Sequence, residues 1–383
     1  MKAIINGTLF LEDGPRTGLA LLFEGETLLS PATEIPDGAE VVDAGGGIVA
    51  PGLVDVHCHG FMGWDASNGD AGELRAMSRQ MARWGVTAWL PTTMTLPWPA
   101  LERCFAAVRR AMAASAAPDW GGARVLGAHA EGPFISYEKR GAQDENAIQP
   151  PDIEKLRPWA DAVRLMTVAP EAEGALPFIR DAVALGVRIS MGHTAADTRA
   201  AAQAVEAGVT HATHLFNAMP PLGHREPGPV GVALASERVT CELIADTFHV
   251  NPLLFGALYR AKGDRLALIT DSIQVAHLPD GPHDQAGRTV IVDGIRCRFP
   301  DGTIAGSSLT LDRAVRNFAL HAKIPLWEAA RAASLVPARA VGADGEIGSL
   351  RPGKRADFLI CDPDFRVRQT WIGGRRVCGT SDS

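Results

Sequence analysis

From residue 53 onward the chain repeats one pattern eight times: a short apolar run, a polar residue at its end, then a segment with apolar positions three and four residues apart. The runs are Leu53 to His57, Val86 to Thr92, Val125 to Glu131, Val163 to Pro170, Val187 to His193, Val209 to His214, Val239 to Asp246 and Leu266 to Asp271. Between them, Glu73 to Trp84, Ala100 to Ala114, Leu176 to Leu185, Ala195 to Ala207 and Pro252 to Ala261 carry helical periodicity. Strands alternating with helices build parallel sheets, because each crossover helix covers the sheet face. Eight such units in about 220 residues are enough to close a barrel. The expected fold is therefore α/β, a (β/α)8 TIM-like barrel.

The two ends of the chain read differently. Ala3 to Asn6, Leu19 to Phe23 and Ile48 to Ala50 are short β-type runs set between Gly, Pro and Asp turns, and the pattern returns at Phe358 to Cys361, Val367 to Ile372 and Arg376 to Cys378. One small β-sandwich domain is expected from residues 1–50 together with 345–383, flanking a catalytic barrel over 51–344. Inside the barrel region, Val290 to Phe299 predicts a hairpin turning at Asp293-Gly294, and Leu309 to Lys323 and Trp327 to Ser334 predict helices.

In barrels of this class the active site lies at the carboxyl ends of the strands, so the polar residues ending the runs should meet in one cavity. They are His57 and His59, Thr92 or Thr93, Glu131, His193, His214, Asp246 and Asp271. A strand turns residues i and i+2 to the same face, so His57 and His59 point the same way. One His-x-His proves little in a chain with eleven histidines. Four histidines and several carboxylates at one mouth form a donor set for a divalent ion, since neutral imidazole and carboxylate suit zinc, iron and similar metals.

Charge and cysteine usage narrow the partners. A formal net charge of -7 and a pI near 5.9 argue against nucleic acid or an anionic membrane surface, both of which basic patches capture. No apolar run approaches the roughly eighteen residues a membrane span needs. The six cysteines lack Cys-x-x-Cys spacing and Met1 to Gly7 shows no long apolar run, so reduced thiols and a cytoplasmic location are expected.

His57-x-His59, Glu131 within His129-Ala130-Glu131-Gly132-Pro133-Phe134, Gly192-His193-Thr194, Thr213-His214-Leu215-Phe216-Asn217-Ala218-Met219 and Thr270-Asp271 together resemble the amidohydrolase superfamily. The stretch Thr213 to Met219 followed by Gly223-His224-Arg225-Glu226-Pro227-Gly228, with Ala305-Gly306-Ser307-Ser308-Leu309-Thr310, is similar to the N-acetylglucosamine-6-phosphate deacetylase family within it. The resemblance implies metal-dependent hydrolysis of the acetamide of an N-acetylhexosamine 6-phosphate, a small amino sugar phosphate as partner, and a homodimer. The alternative is a related amidohydrolase acting on another N-acyl substrate or a cyclic amide.

Hydrolysing an amide needs a strong nucleophile and a way to hold charge on the carbonyl oxygen, both of which a divalent metal provides. Glu131, His193 and His214 are the expected main ligands, with Asp271 as general base and then acid. His57 and His59 decide whether a second ion joins the first, so one or two ions per subunit are expected, zinc or iron foremost. The fourth run holds no Lys, which removes the carbamylated-lysine bridge of other superfamily members and shifts bridging to Glu131. The resemblance carries substrate contacts to Ala142, Asn217, Ala218, Arg225, His249, Ala305, Gly306 and Ser307. Arg225 is the phosphate candidate because a guanidinium fork matches phosphate oxygens, and His249 is expected to polarise the acetyl carbonyl. Three positions depart from the family pattern near the expected sugar site: Gln143 for a common His, Thr247 for Gly, and Ser272 for Ala.

Overall fold

The computed structural model describes residues 1–379. Its centre is a barrel of eight parallel strands: Leu53–Cys58, Val86–Thr93, Ala128–Glu131, Val163–Val168, Arg188–Met191, Val209–Ala212, Thr240–Ile244 and Leu266–Ile269. These residues are nearly all buried and most are apolar, as parallel strands covered on both faces must be. Neighbours pair in sequence order, with Trp89 opposite Asp55, Thr92 opposite His129, Ala130 opposite Met166 and Glu242 opposite Ala267. Strand eight closes on strand one where Asp271 N donates to His57 O at 2.9 Å and Cys58 pairs with Ser272.

The ladders stop earlier than the apolar runs suggest. Strands five, six, seven and eight end at Met191, Ala212, Ile244 and Ile269, so His193, His214, Asp246 and Asp271 each lie two residues past the last paired position. The third run splits, with Arg124–Val125 separated from Ala128–Glu131 by Gly127 at φ 141°. A side chain at Gly127 would press within 2.8 Å of Arg164 Cβ on the neighbouring strand.

The crossover helices start on side-chain caps. Asp70 accepts from Gly72 N and Glu73 N to begin Ala71–Met81, and Asp197 accepts from Ala200 N to begin Thr198–Ala207. Trp98–Ser115 starts with proline in its first turn. The expected helices near the end of the barrel are Leu311–Ala322 and Leu326–Ala332, followed by a short Leu335–Ala340. Among the described residues no helix is long and apolar enough to cross a membrane.

The chain's two ends build two further sheets. One, of four strands, contains Lys2–Ile5 and Leu21–Glu24; the other, of six, interleaves Thr8–Leu11 and Ile48–Pro51 with Phe358–Cys361 and Val367–Ile372. They share a core of Ile4, Leu9, Phe23, Val49, Phe358 and Trp371, in which the rings of Phe358 and Trp371 stack at 5.3 Å. Gly52 then passes the chain into barrel strand one, where any side chain would meet Thr87 Oγ1 at 2.1 Å.

The expected hairpin is half of a larger unit. Gly281–Gln285, Arg288–Asp293, Arg296–Arg298 and Ile304–Ser307 form an antiparallel sheet over the barrel's carboxyl end. Its last strand pairs Ser307 with Ser272, which brings residues 303–306 to the mouth.

Candidate metal centre

Six side chains from five barrel strand ends meet at the carboxyl end. Glu131 Oε1 lies 3.2 Å from His193 Nε2, 3.0 Å from His214 Nε2 and 3.3 Å from His57 Nε2. His59 Nε2 lies 3.3 Å from Glu131 Oε2 and 3.4 Å from Asp271 Oδ1, and His57 Nε2 3.5 Å from that same Asp271 oxygen. The groups fall into two trios, Glu131 with His193 and His214, and His57 with His59 and Asp271, joined through Glu131. Three of the six stand on left-handed backbone: His193 at φ 46°, His214 at 27° and Asp271 at 50°. Non-glycine residues adopt that region at a cost, and it concentrates at functional sites. Here it turns the side chain two residues beyond each ladder back over the barrel mouth.

The donor set fits a divalent ion. His57 Nε2 and His59 Nε2 are 3.2 Å apart, and His193 Nε2 and His214 Nε2 are 3.1 Å apart. The edge of a tetrahedron with bonds of about 2.0 Å is about 3.3 Å, so the spacing is that of atoms sharing one ion. Three of the rings are held through their other nitrogen: His193 Nδ1 by Lys139 O at 2.9 Å, His59 Nδ1 by Thr92 O at 3.2 Å, and His57 Nδ1 by the Glu242 carboxylate at 3.0 Å. A carbonyl or carboxylate there takes the Nδ1 proton and leaves the Nε2 lone pair facing the centre.

Charge points the same way. Glu131, Glu242 and Asp271 are buried, and no Lys or Arg pairs with them among the described residues. Burial opposes a charged imidazole, yet Glu131 and Glu242 outweigh it and raise His57 well above the ordinary histidine value; His59 is raised to about 9 by Asp271 and Glu131. Burial alone would raise Asp271, but the His59 hydrogen bond and the potential of His57, His59 and His214 pull it down to about 2. The pocket calls for positive charge, which a metal supplies.

The cavity above this floor has a volume of about 260 Å³. Of the residues expected to touch substrate, Ala142, Asn217, Ala218, His249, Ala305 and Gly306 line it, together with Gln143. Two do not. Ser307 is fully buried beneath the wall, where its Oγ donates to Thr270 O at 2.5 Å and its N to Asp271 O at 2.9 Å, so it holds the Asp271 main chain. Arg225 stands exposed on the loop after Met219, beside Glu226, which is tied to Thr198 N at 2.7 Å.

Other expectations resolve individually. Asp246 turns away from the centre and caps Phe248 N and His249 N at 2.8 Å, with Oδ2 at 2.6 Å from His249 Nδ1. Burial works against a charged His249, but Asp246 overcomes it and raises the pKa. Of the three family departures only Gln143 reaches the cavity: its Oε1 accepts from Thr95 N at 2.7 Å and its Nε2 donates to Glu131 Oε2. Ser272 is buried in the barrel seam, its Oγ donating to Gly60 O at 2.9 Å, and Thr247 sits at φ 71°.

Two buried carboxylates were not foreseen. Glu242 lies mid-strand, where its Oε2 meets His57 Nδ1 and the His214 N–H at 3.2 Å. Asp55 accepts from Thr270 Oγ1 at 2.6 Å and from His57 N at 3.2 Å, bracing strand one against strand eight. An acidic residue inside an otherwise apolar run was the available signal for both.

Comparison with known proteins places this geometry in context. The amidohydrolase family model matches residues 48–377. The chain is 38% identical over 332 residues to an N-acetylgalactosamine-6-phosphate deacetylase of Escherichia coli O157:H7, covering 86% of this chain and 87% of that protein. It is 33% identical over 378 residues to an N-acetylglucosamine-6-phosphate deacetylase of Bacillus subtilis (strain 168), covering 97% and 93%. The crystal structure of N-acetylglucosamine-6-phosphate deacetylase from Pasteurella multocida superposes with a TM-score of 0.92 at 29% identity, over 98% of this chain and 99% of that one.

Proposed function

The chain belongs to the amidohydrolase family, and we propose that it hydrolyses the acetamide of N-acetylglucosamine 6-phosphate to acetate and glucosamine 6-phosphate. The observation that carries the reading is the Glu131–His193–His214 and His57–His59–Asp271 cluster on the floor of a sugar-sized cavity. The deacetylase relatives, similar over most of the chain, supply the substrate class.

A bound divalent metal supplies an acidified water and a Lewis acid for the amide carbonyl. Glu131, His193 and His214 would hold it, and His57 and His59 together with Glu131 would hold a second ion; zinc or iron would suit these donors. Asp271 takes the proton of the attacking water as the new C–O bond forms, then delivers it to the sugar nitrogen as the C–N bond breaks. Its Oδ1 lies 3.5 Å from His57 Nε2 and 3.4 Å from His59 Nε2, at the cluster where that water would be held. His249, held through Nδ1 by Asp246, offers Nε2 to the acetyl carbonyl from the cavity wall.

The phosphate is assigned to the turn 214–218 and to Arg225 on the loop that follows. Positive φ at His214, Phe216 and Ala218 sets the shape of this turn, whose His214, Leu215 and Asn217 N–H groups are held by Glu242 Oε2, Glu242 O and His214 O. Asn217 and Ala218 of this turn line the cavity. The reading extends to a homodimer, a cytoplasmic location, and a division into residues 1–50 with 345–383 and 51–344.

A second reading is the C4 epimer N-acetylgalactosamine 6-phosphate, the substrate named for the E. coli O157:H7 relative. Kinetics on both 6-phosphates and both unphosphorylated sugars test the proposal. Turnover selective for a 6-phosphate, with KM raised by Arg225→Ala, supports it; equal turnover of phosphorylated and free sugars overturns the phosphate anchor.

A further inference from the structure

At the amino ends of barrel strands five to eight, the pole opposite the metal centre, lies a second cavity of about 340 Å³, larger than the 260 Å³ above the metal ligands. Arg188 opens strand five, Arg238 precedes strand seven and Arg265 precedes strand eight; all three line this cavity. None of these guanidinium groups has a hydrogen bond or ion pair among the described residues. The one carboxylate in the lining, Asp264, is already engaged by Arg331 at 2.5 Å and Arg339 at 3.4 Å.

His211 sits in the same wall, 1% exposed, with Nδ1 on Thr210 Oγ1 at 2.8 Å and the main chain of Ala340 as a further hydrogen-bond contact. Burial first, and then the Arg188 charge with Arg265 adding, presses the His211 pKa down to about 3 against the opposing Ala340 main-chain contact.

We propose that this cavity is a second binding site, for a small phosphate monoester of about hexose-phosphate size. Two or more guanidinium forks can grip a phosphate dianion bidentately, and His211 stands in the wall beside them. The concave shape and a volume exceeding that of the sugar cavity favour a small molecule over a flat polymer surface. The site is independent of the chemistry at the opposite pole.

Glucose 6-phosphate, which carries no acetamide to cleave, is the probe. Calorimetric titration of the metal-loaded enzyme should give two binding events, one at each pole. Arg188→Met with Arg265→Met should remove one event, or weaken it about tenfold or more per guanidinium, while leaving KM and kcat for the N-acetylated substrate unchanged. The exposed Arg238→Gln, a change with little bearing on folding, should weaken the same event alone. In the intact enzyme the ring proton signals assigned through His211→Gln should shift on titration. A single binding event up to millimolar concentration, or two events that persist in the double variant, would overturn the proposal, as would an unmoved His211 signal.

Discussion

The carboxylate of Glu242, from the middle of barrel strand seven, stands 3.0 Å from Nδ1 of His57, and both side chains are wholly buried. The contact fixes the His57 tautomer and makes its Nε2 a stronger donor, while the same oxygen accepts from His214 N at 3.2 Å. Glu242 thus steadies one ligand from each trio. Glu242→Gln keeps an acceptor but removes the charge, and should lower metal affinity by about tenfold or more. Metal content after dialysis at graded free metal measures it; unchanged occupancy would sink the assignment.

Asp271→Asn isolates the proton-transfer role. The residue stands at φ 50°, a region asparagine tolerates better than alanine does, so the swap removes the base with little backbone cost. Expected is a loss of about 10²- to 10⁴-fold in kcat with KM and bound metal retained. Full activity in this variant would remove Asp271 from the mechanism.

Much of this was legible in the residues, for a physical reason: parallel strands buried on both faces leave uninterrupted apolar runs, and a metal needs donor types that rarely share a strand end by chance. The left-handed residues His193, His214 and Asp271 were visible as chemistry but not as geometry, since no glycine marks them. Glu242 was hidden because its function depends on a partner 185 residues away. Gly281–Gln285 reads Gly-Pro-His-Asp-Gln, without β-type alternation, so only pairing with Arg288–Asp293 makes it a strand. Arg225 shows the converse, because residue type announced a phosphate ligand while loop geometry keeps it outside the cavity of the single chain.

Metal removal should cost stability as well as activity. Glu131, Glu242 and Asp271 lie buried together, and stripping the ion leaves only imidazole protonation to offset them. A ligand bound to the folded state alone stabilises it by about 4 kcal/mol at a thousandfold excess over Kd. Chelator dialysis should abolish turnover and lower Tm by several degrees, and zinc or iron should restore both. Activity surviving complete metal removal would refute the metal mechanism.

Thr247 carries a β-branched side chain at φ 71°, where the resembling family places glycine. Such a residue in the left-handed region costs roughly 1–3 kcal/mol, more than the roughly 0.5–1 kcal/mol of chain entropy that glycine adds to the unfolded state. Thr247→Gly should therefore stabilise the protein by about 1 kcal/mol and raise Tm by about 1–3 °C. A lowered Tm would show that Thr247 makes contacts that outweigh the strain.

Gln143 is oriented by the main chain. Because Thr95 N–H donates to its Oε1 at 2.7 Å, the amide nitrogen must face Glu131, where it donates to Oε2. That leaves Oε1 of Glu131 toward His193 and His214, so the amide selects which carboxylate oxygen each trio shares. Gln143→Leu has a similar volume but strands the Thr95 N–H and frees the carboxylate to rotate. Expected is a fall of about 10- to 100-fold in kcat/KM together with weaker metal retention. A loss of substrate affinity with metal retention untouched would instead make Gln143 a sugar contact.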